Sequence, residues 1–158
     1  RENGRVTAGN ASQISDGAAG VLVASESAVE RLGLKPLARI LSVAVVGADP
    51  TLMLTGPIEA SRKAAAAAGL TFDDIPLFEV NEAFASVPLM WMHEVGVGPD
   101  RLNVNGGAIA LGHPLGATGA RLATSLIHEM KRTGAKYGLQ AICCAGGLAT
   151  STVYENVS

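Results

Sequence analysis

The sequence predicts an α/β fold, a mixed β-sheet with helices on both faces and elements in the order βαβαβαββ. Three observations carry this. Short apolar or β-branched runs alternate with longer helix-forming stretches. Gly and Pro stand where helices should stop or start. The last two apolar runs are separated by little more than Gly146-Gly147, close enough for an antiparallel pair.

The run Ala18 to Ala24 (AAGVLVA) reads as a buried strand. Ser25 or Ser27 is placed to cap the next helix, with Glu30 completing a capping box from Ser27. Gly33 ends that helix, and Pro36 prevents its return. Arg39 to Gly47 (RILSVAVVG) is a β-branched strand run, broken at Asp49-Pro50. Pro57 suits the first turn of a helix that continues through Ile58 to Ala68 and stops at Gly69. Pro76 to Val80 predicts a strand and Glu82 to Val95 a helix. A glycine-rich loop, Asn103 to Gly116, precedes the clearest helix, Ala117 to Thr133, where Ala120, Ala123, Ile127 and Met130 recur at helical spacing. Leu139 to Cys144 reads as a buried strand. Ala149 to Glu155 reads as its return, with Thr150-Ser151-Thr152 suited to an edge or a small-residue face.

Composition narrows the class. The 158 residues make one ordinary domain or half of a larger one. Apolar residues are 48% and charged residues 16%, which excludes a disordered tail. Aromatic content is 4% against 19 glycines, so the core is built from small side chains that let backbones approach closely. A net charge of -2 without a basic stripe argues against a nucleic-acid partner. The two cysteines are neighbours, which disfavours a disulfide, and no zinc spacing exists, so no metal is expected. Reduced cysteines fit a cytoplasmic location. No apolar run reaches membrane-spanning length, and no signal peptide is visible. The chain starts at Arg1 rather than Met, and its polar opening, Arg1 to Arg5, reads as a loop or a cut site in a fragment or processed piece.

Three places carry chemistry. The loop from Asn103 to Gly119 has five glycines around His113 and opens a helix. It is either a tight connector or a ligand-facing loop. It is not a nucleotide loop, since it lacks G-x-G-x-x-G after a strand and G-K-[ST]. His113, between Gly112 and Pro114, has a preset direction suited to acid, base or donor work. His93 and His128 lie in helical stretches and read as structural or exposed. Asn81 follows a strand, where it is either a helix N-cap or an amide aimed into a site at the strand's carboxyl end. Cys143 and Cys144 close a strand and face opposite sides, so at most one enters a given pocket. Cys, His and Asn together point to thiol chemistry.

These motifs together resemble the thiolase family of acetyl-CoA acyltransferases. The matching stretches are Thr7-Ala8-Gly9-Asn10-Ala11-Ser12 with Asp16-Gly17-Ala18-Ala19, Thr55-Gly56-Pro57, Asn81-Glu82-Ala83-Phe84, Asn105 to Pro114, and Cys143 with Gly146-Gly147. They follow the family's order and spacing over essentially the whole chain.

The resemblance covers the family's C-terminal part. It implies that residues 1–35 end the N-terminal half and residues 36–158 form the C-terminal domain, within a five-layered arrangement of two halves. It implies acyl transfer between coenzyme A thioesters, either thiolysis of a 3-ketoacyl-CoA or the reverse Claisen condensation. The family's nucleophilic Cys belongs to the N-terminal half, so this chain alone is expected to be inactive. By resemblance, His113 activates that nucleophile and donates to an oxyanion, Asn81 holds a water in the same oxyanion hole, and Cys143 exchanges a proton with the substrate α-carbon. Register favours Cys143 over Cys144. Ala145 stands where the family usually has Gly and supplies its backbone N–H to a second oxyanion hole; a positive φ there would strain it. Ala8 and Ser12 are implied beside the pantetheine arm and Phe84 near the thioester. Coenzyme A enters as substrate, with no permanently bound cofactor. The implied partners are the N-terminal half and further copies in a homo-oligomer.

Other readings are a non-catalytic CoA-binding or scaffolding module and a self-contained Cys–His hydrolase.

Overall fold

The computed structural model describes residues 3–158. Arg1 and Glu2, the first residues of the expected opening loop, lie outside them. The chain begins in irregular structure and enters helix α1 at Glu26–Leu32. Strand β1, Ala38–Gly47, leads to helix α2, Gly56–Ala67, and strand β2, Leu77–Val80. Helices α3 (Ser86–Val95), α4 (Ala108–Leu111) and α5 (Thr118–Thr133) follow, then strands β3 (Tyr137–Cys143) and β4 (Leu148–Asn156).

The four strands form one mixed sheet in the order β1-β4-β3-β2. The β1–β4 and β3–β4 pairs are antiparallel, and β2–β3 is parallel. A parallel pair needs a long crossover, which α3 to α5 supply. The α/β class and the mixed sheet hold. The order departs from expectation at its first element and between β2 and β3, where three helices stand in place of one.

That element is the strand expected at Ala18 to Ala24. These residues form no ladder and are exposed, Leu22 by 84% and Val23 by 70%. A strand is a pairing arrangement, and apolar, β-branched composition without a neighbour does not make one. The capping box expected at Ser27 is also not formed. Ser25 is the N-cap, its hydroxyl accepting from Ala28 N at 3.2 Å, and Gly33 closes the helix in the left-handed region at φ 62. Helix α3 starts at Ser86 rather than Glu82, because the backbone of Phe84 pairs with Ala11 instead. Strand β4, with its Thr150-Ser151-Thr152, is an inner strand rather than an edge. Its small polar face is served internally, with Ser151 Oγ donating to the Gln140 carbonyl at 2.9 Å.

Strand alternation divides the sheet between two cores. Phe78, Val80, Leu139, Ala141 and Val153 pack with α2 and α3. There Trp91 lies 5.1 Å from the Phe78 ring and donates its indole N–H to Ser61 at 3.0 Å. Leu77 and Tyr154 pack on the other face with Leu126 and Met130 of α5. Gly138 sets that approach: a Cβ there would meet Met130 Sδ at 2.6 Å. Along β1 the same face is bare, with Val43 59% and Val45 67% exposed. Among the described residues no helix is long and apolar enough to cross a membrane.

Candidate active site

Strands β2 and β3 run parallel, with Val80 opposite Ala141, and Asn81 N extends the ladder to Ala141 O at 3.0 Å. Asn81 and Cys143 therefore both stand at the carboxyl ends of adjacent parallel strands, the edge where open α/β sheets place ligands.

The glycine-rich loop reaches this edge through Asn103. Its backbone is left-handed, at φ 49. Its amide accepts from Val80 N, and donates to Val80 O and to Glu82 Oε1, each at 2.9 Å. The other Glu82 oxygen accepts from Ile109 N at 3.1 Å, at the start of α4. A Cβ on Gly107 would lie 2.0 Å from the Glu82 carboxyl carbon, so the clamp requires glycine there. Helix α4 ends at Gly112, and His113 follows. The His113 N–H donates to Gln13 O at 2.9 Å, fastening the ring's backbone to the segment before α1.

The imidazole is held from both sides. Nδ1 lies 2.7 Å from Thr118 Oγ1, and Nε2 lies 3.4 Å from the Asn81 amide nitrogen. Thr118 donates its hydroxyl proton to Pro114 O at 2.9 Å, so its oxygen accepts from His113 Nδ1–H. Network geometry thus assigns the neutral ring a proton on Nδ1 and a lone pair on Nε2. Burial, then the Arg121 cation, hold His113 below the ordinary imidazole range. Asn81 is 1% exposed, and its Oδ1 has no hydrogen-bond partner among the described residues. It does not cap a helix.

Cys143 is half-buried against the α2–α3 core, and burial pushes its thiol above the ordinary range. It makes no hydrogen bond to Asn81 or His113 among those described. Cys144, also half-buried, uses its N–H to bond Leu148 O at 2.7 Å in the turn to β4. Ala145 does not adopt a positive φ. Gly146 and Gly147 take the left-handed positions instead, at φ 74 and 84, so the methyl group of Ala145 introduces no backbone strain.

Ala8 is exposed in a turn. Ser12 donates its hydroxyl to Ala83 O at 3.1 Å, and Ala11 pairs with Phe84, so Ser12 and Phe84 lie on neighbouring backbone stretches. His93 and His128 are exposed. No group of three His, Cys, Asp or Glu residues suited to a metal occurs among the described residues.

Sequence reasoning missed Thr118, the Glu82–Asn103 clamp, and the buried side-chain atoms of Glu79 and Arg121 that lack hydrogen-bond partners among the described residues. Only Glu79 left a local signal, as a lone charge in the apolar strand Leu77-Phe78-Glu79-Val80. The others depend on contacts across the chain.

The family profile described as "Thiolase, C-terminal domain" matches residues 34–156, and that described as "Thiolase, N-terminal domain" matches residues 1–27. A steroid 3-ketoacyl-CoA thiolase of Mycobacterium tuberculosis is 54% identical over 99% of this chain and 38% of its own length. An acetyl-CoA acetyltransferase of Chromobacterium violaceum is 52% identical over 98% of this chain and 40% of its own. Among solved structures, the Bacillus anthracis acetyl-CoA acetyltransferase superposes with a TM-score of 0.96 at 43% identity, over 99% of this chain and 40% of that one. Human mitochondrial 3-ketoacyl-CoA thiolase in complex with CoA superposes at 0.90, also at 43% identity, over 97% and 39%. The chain thus spans about two fifths of the length of these relatives. With a C-terminal-domain profile over most of its length and relatives above half identity across nearly all of it, the chain belongs to the thiolase family.

Proposed function

We propose that this chain is the C-terminal portion of a thiolase that transfers acyl groups between coenzyme A thioesters. The observation that carries the reading is the Thr118–His113–Asn81 array at the strand ends. A thiol that displaces the long 3.4 Å contact from the Asn81 amide gives its proton to the Nε2 lone pair, and the resulting imidazolium donates from Nε2 to a developing oxyanion. Asn81 Oδ1, buried and without a hydrogen-bond partner among the described residues, accepts from a water whose second O–H serves the same oxyanion.

In thiolysis, a cysteine thiolate of the N-terminal half adds to the 3-keto carbon. The C2–C3 bond breaks, and the electron pair stays on C2. Cys143 gives its thiol proton to that carbon; the CoA thiol then gives its proton back to Cys143 and takes the acyl group, and the released cysteine thiolate recovers its proton from the His113 imidazolium. Condensation runs the transfer backwards, with the Cys143 thiolate removing the α-proton. A thiol held neutral by burial is a ready proton donor in the first direction. The backbone N–H of Ala145 serves the second oxyanion. Ala8 and Ser12 flank the pantetheine arm, and Phe84 lies near the thioester.

The division of labour runs near residue 35, with residues 36–158 as the C-terminal domain. The nucleophile comes from the N-terminal half, so this chain alone does not turn over. The bare β1 face, Val43 and Val45, supports an apolar partner of that kind. The assembled protein is a cytoplasmic homo-oligomer with acyl-CoA as its ligand.

The test joins the chain to the N-terminal half and measures CoA-dependent cleavage of a 3-ketoacyl-CoA. Cleavage that is lost on His113→Ala supports the reading. CoA binding without cleavage overturns it in favour of a non-catalytic module. Acylation of Cys143 or Cys144 in the chain alone overturns it in favour of a hydrolase.

A further inference from the structure

The three site side chains belong to two bodies. Asn81 and Cys143 stand at the ends of β2 and β3, which the sheet locks together. His113 comes from outside the sheet, on the glycine-rich loop, and is held by Thr118 at the start of α5. Cys143 and His113 share no hydrogen bond among those described. Their separation is therefore set by how α5 rests on β3.

Alternation along β3 shows what lies at that contact. Leu139, Ala141 and Cys143 face the α2–α3 core, so Gln140 and Ile142 face α5. Gln140 Nε2 donates to Gly119 O at 3.1 Å, one residue after Thr118. A Cβ on Gly119 would meet Ile142 Cδ1 at 3.5 Å, so the first turn of α5 lies over both side chains. The other end of the amide is also held, with Oε1 accepting from the Tyr154 hydroxyl of β4 at 3.4 Å. Ser151 fixes the backbone beneath it, donating to Gln140 O at 2.9 Å.

Gln140 is 7% exposed, beside an apolar cluster of Leu77, Ala123, Leu126 and Met130. Taking an amide out of water is costly, and an apolar side chain would fill the place without that cost. What the amide adds is direction. It reaches one carbonyl on one turn of α5, and so selects one placement of the helix on the strand. Gln140 takes no part in the proton transfers described above.

We propose that Gln140 is a positioning residue of the acyl-transfer site: its amide ties the strand that ends at Cys143 to the helix turn whose Thr118 orients His113, and so holds the two proton-transferring side chains in register. This deepens the thiolase reading and rests on it. Without the amide, His113 keeps Thr118 and its tautomer, but α5 is free to shift over β3. The imidazole then loses its fixed relation to Asn81 and Cys143.

The experiment compares two reactions of the assembled protein, this chain joined to its N-terminal half. One is single-turnover acylation of the N-terminal cysteine by acetyl-CoA, followed by intact mass. The other is steady-state condensation of acetyl-CoA. Acylation needs His113 and its Thr118 contact, whereas condensation needs His113, Asn81 and Cys143 together. Gln140→Met keeps the length and removes the amide. It leaves acylation within about threefold, lowers the condensation kcat by about tenfold, and leaves KM within about twofold. Gln140→Asn keeps the amide one carbon short of Gly119 O and shows the same split. Gly138→Ala, which crowds the same face, is the control for a purely structural effect, losing stability with no split. If only one Gln140 variant folds, that one decides. A folded variant in which both reactions fall together, neither falls, or the loss is confined to KM overturns the role. Loss of folding in both variants also overturns it, leaving Gln140 a core residue alone. Failure of the thiolase reading is distinguishable: wild-type protein that is neither acylated nor condenses acetyl-CoA overturns that reading, whereas active wild type with unsplit variants overturns the role of Gln140 alone.

Discussion

Thr118 Oγ1 sits 2.7 Å from His113 Nδ1 while donating its own proton to Pro114 O, so one hydroxyl fixes both the tautomer and the tilt of the imidazole. Thr118 opens α5 and is 1% exposed, so its rotamer is set by packing rather than by solvent. A buried hydroxyl that accepts from Nδ1–H leaves Nε2 as the only nitrogen able to take a proton.

Thr118→Val keeps the shape and removes the acceptor. In the assembled enzyme it lowers kcat by about tenfold to a hundredfold and leaves KM for the thioester nearly unchanged. Thr118→Ser restores most of the rate. Steady-state kinetics on the three proteins check this, and a change confined to KM would reject the tautomer role.

The two adjacent cysteines separate by function. Cys143→Ala lowers the rate of condensation by at least about a hundredfold, while Cys144→Ala stays within about a factor of three. Condensation of two acetyl-CoA molecules is the assay. Equal losses would show that the register places neither thiol uniquely.

The Glu82 clamp is sensitive at a position that does not touch substrate. Gly107→Ala places a methyl group where the carboxylate lies, freeing Asn103 and Ile109 from their charged acceptor. Stability falls by about 1–3 kcal/mol and kcat falls with it, because α4 carries the chain into His113. Denaturant unfolding alongside kinetics measures both effects.

Overpacking behind the sheet acts on stability alone. Gly138→Ala drives a methyl group into Met130 and Leu126, at a cost of about 1–3 kcal/mol. The midpoint of thermal unfolding drops, while activity per folded molecule is retained.

Two carboxyl groups give stability a maximum in mildly acidic solution. Glu79 has its folded value raised to about 7 from an ordinary 4.5, so its contribution is complete below 4.5 and is lost as pH rises to 7, by on the order of 3 kcal/mol. Glu129 is held down at about 2 by the hydrogen bonds from Arg132 and Asn105, so its contribution is complete above 4.5 and is lost as pH falls toward 2. Unfolding free energies measured across this range peak near pH 4.5. Glu79→Gln flattens the neutral limb and leaves the acid limb in place.

The parts of the fold that were readable in advance were those governed by local signals. Gly33 and Gly134 stop helices because each takes a left-handed conformation, and Pro57 starts α2 because its missing N–H costs nothing there. Residues 18 to 24 form no strand because pairing is a property of neighbours, which an apolar run does not name. The same limit governs the candidate site. His113 stood out through its glycines and Pro114, and Asn81 through its place after a strand. Thr118 is five residues from His113 in sequence but is chosen by the turn of α5, and Glu82 meets Asn103 only once the loop has folded back along β2.

The backbone bonds that fasten the early segment to the site have a kinetic consequence. Ser12 reaches Ala83 across 71 residues, and Gln13 receives the His113 N–H from farther still. Closing spans of that length is entropically expensive, and sheets and helices with nearer partners assemble sooner. The β1–β4 pairing closes a longer span still, from Ala38 to Asn156, so the stitching of residues 10 to 14 shares its dependence on long-range closure with the sheet itself, and an immobilised imidazole at position 113 reports that both ends of the chain are in place.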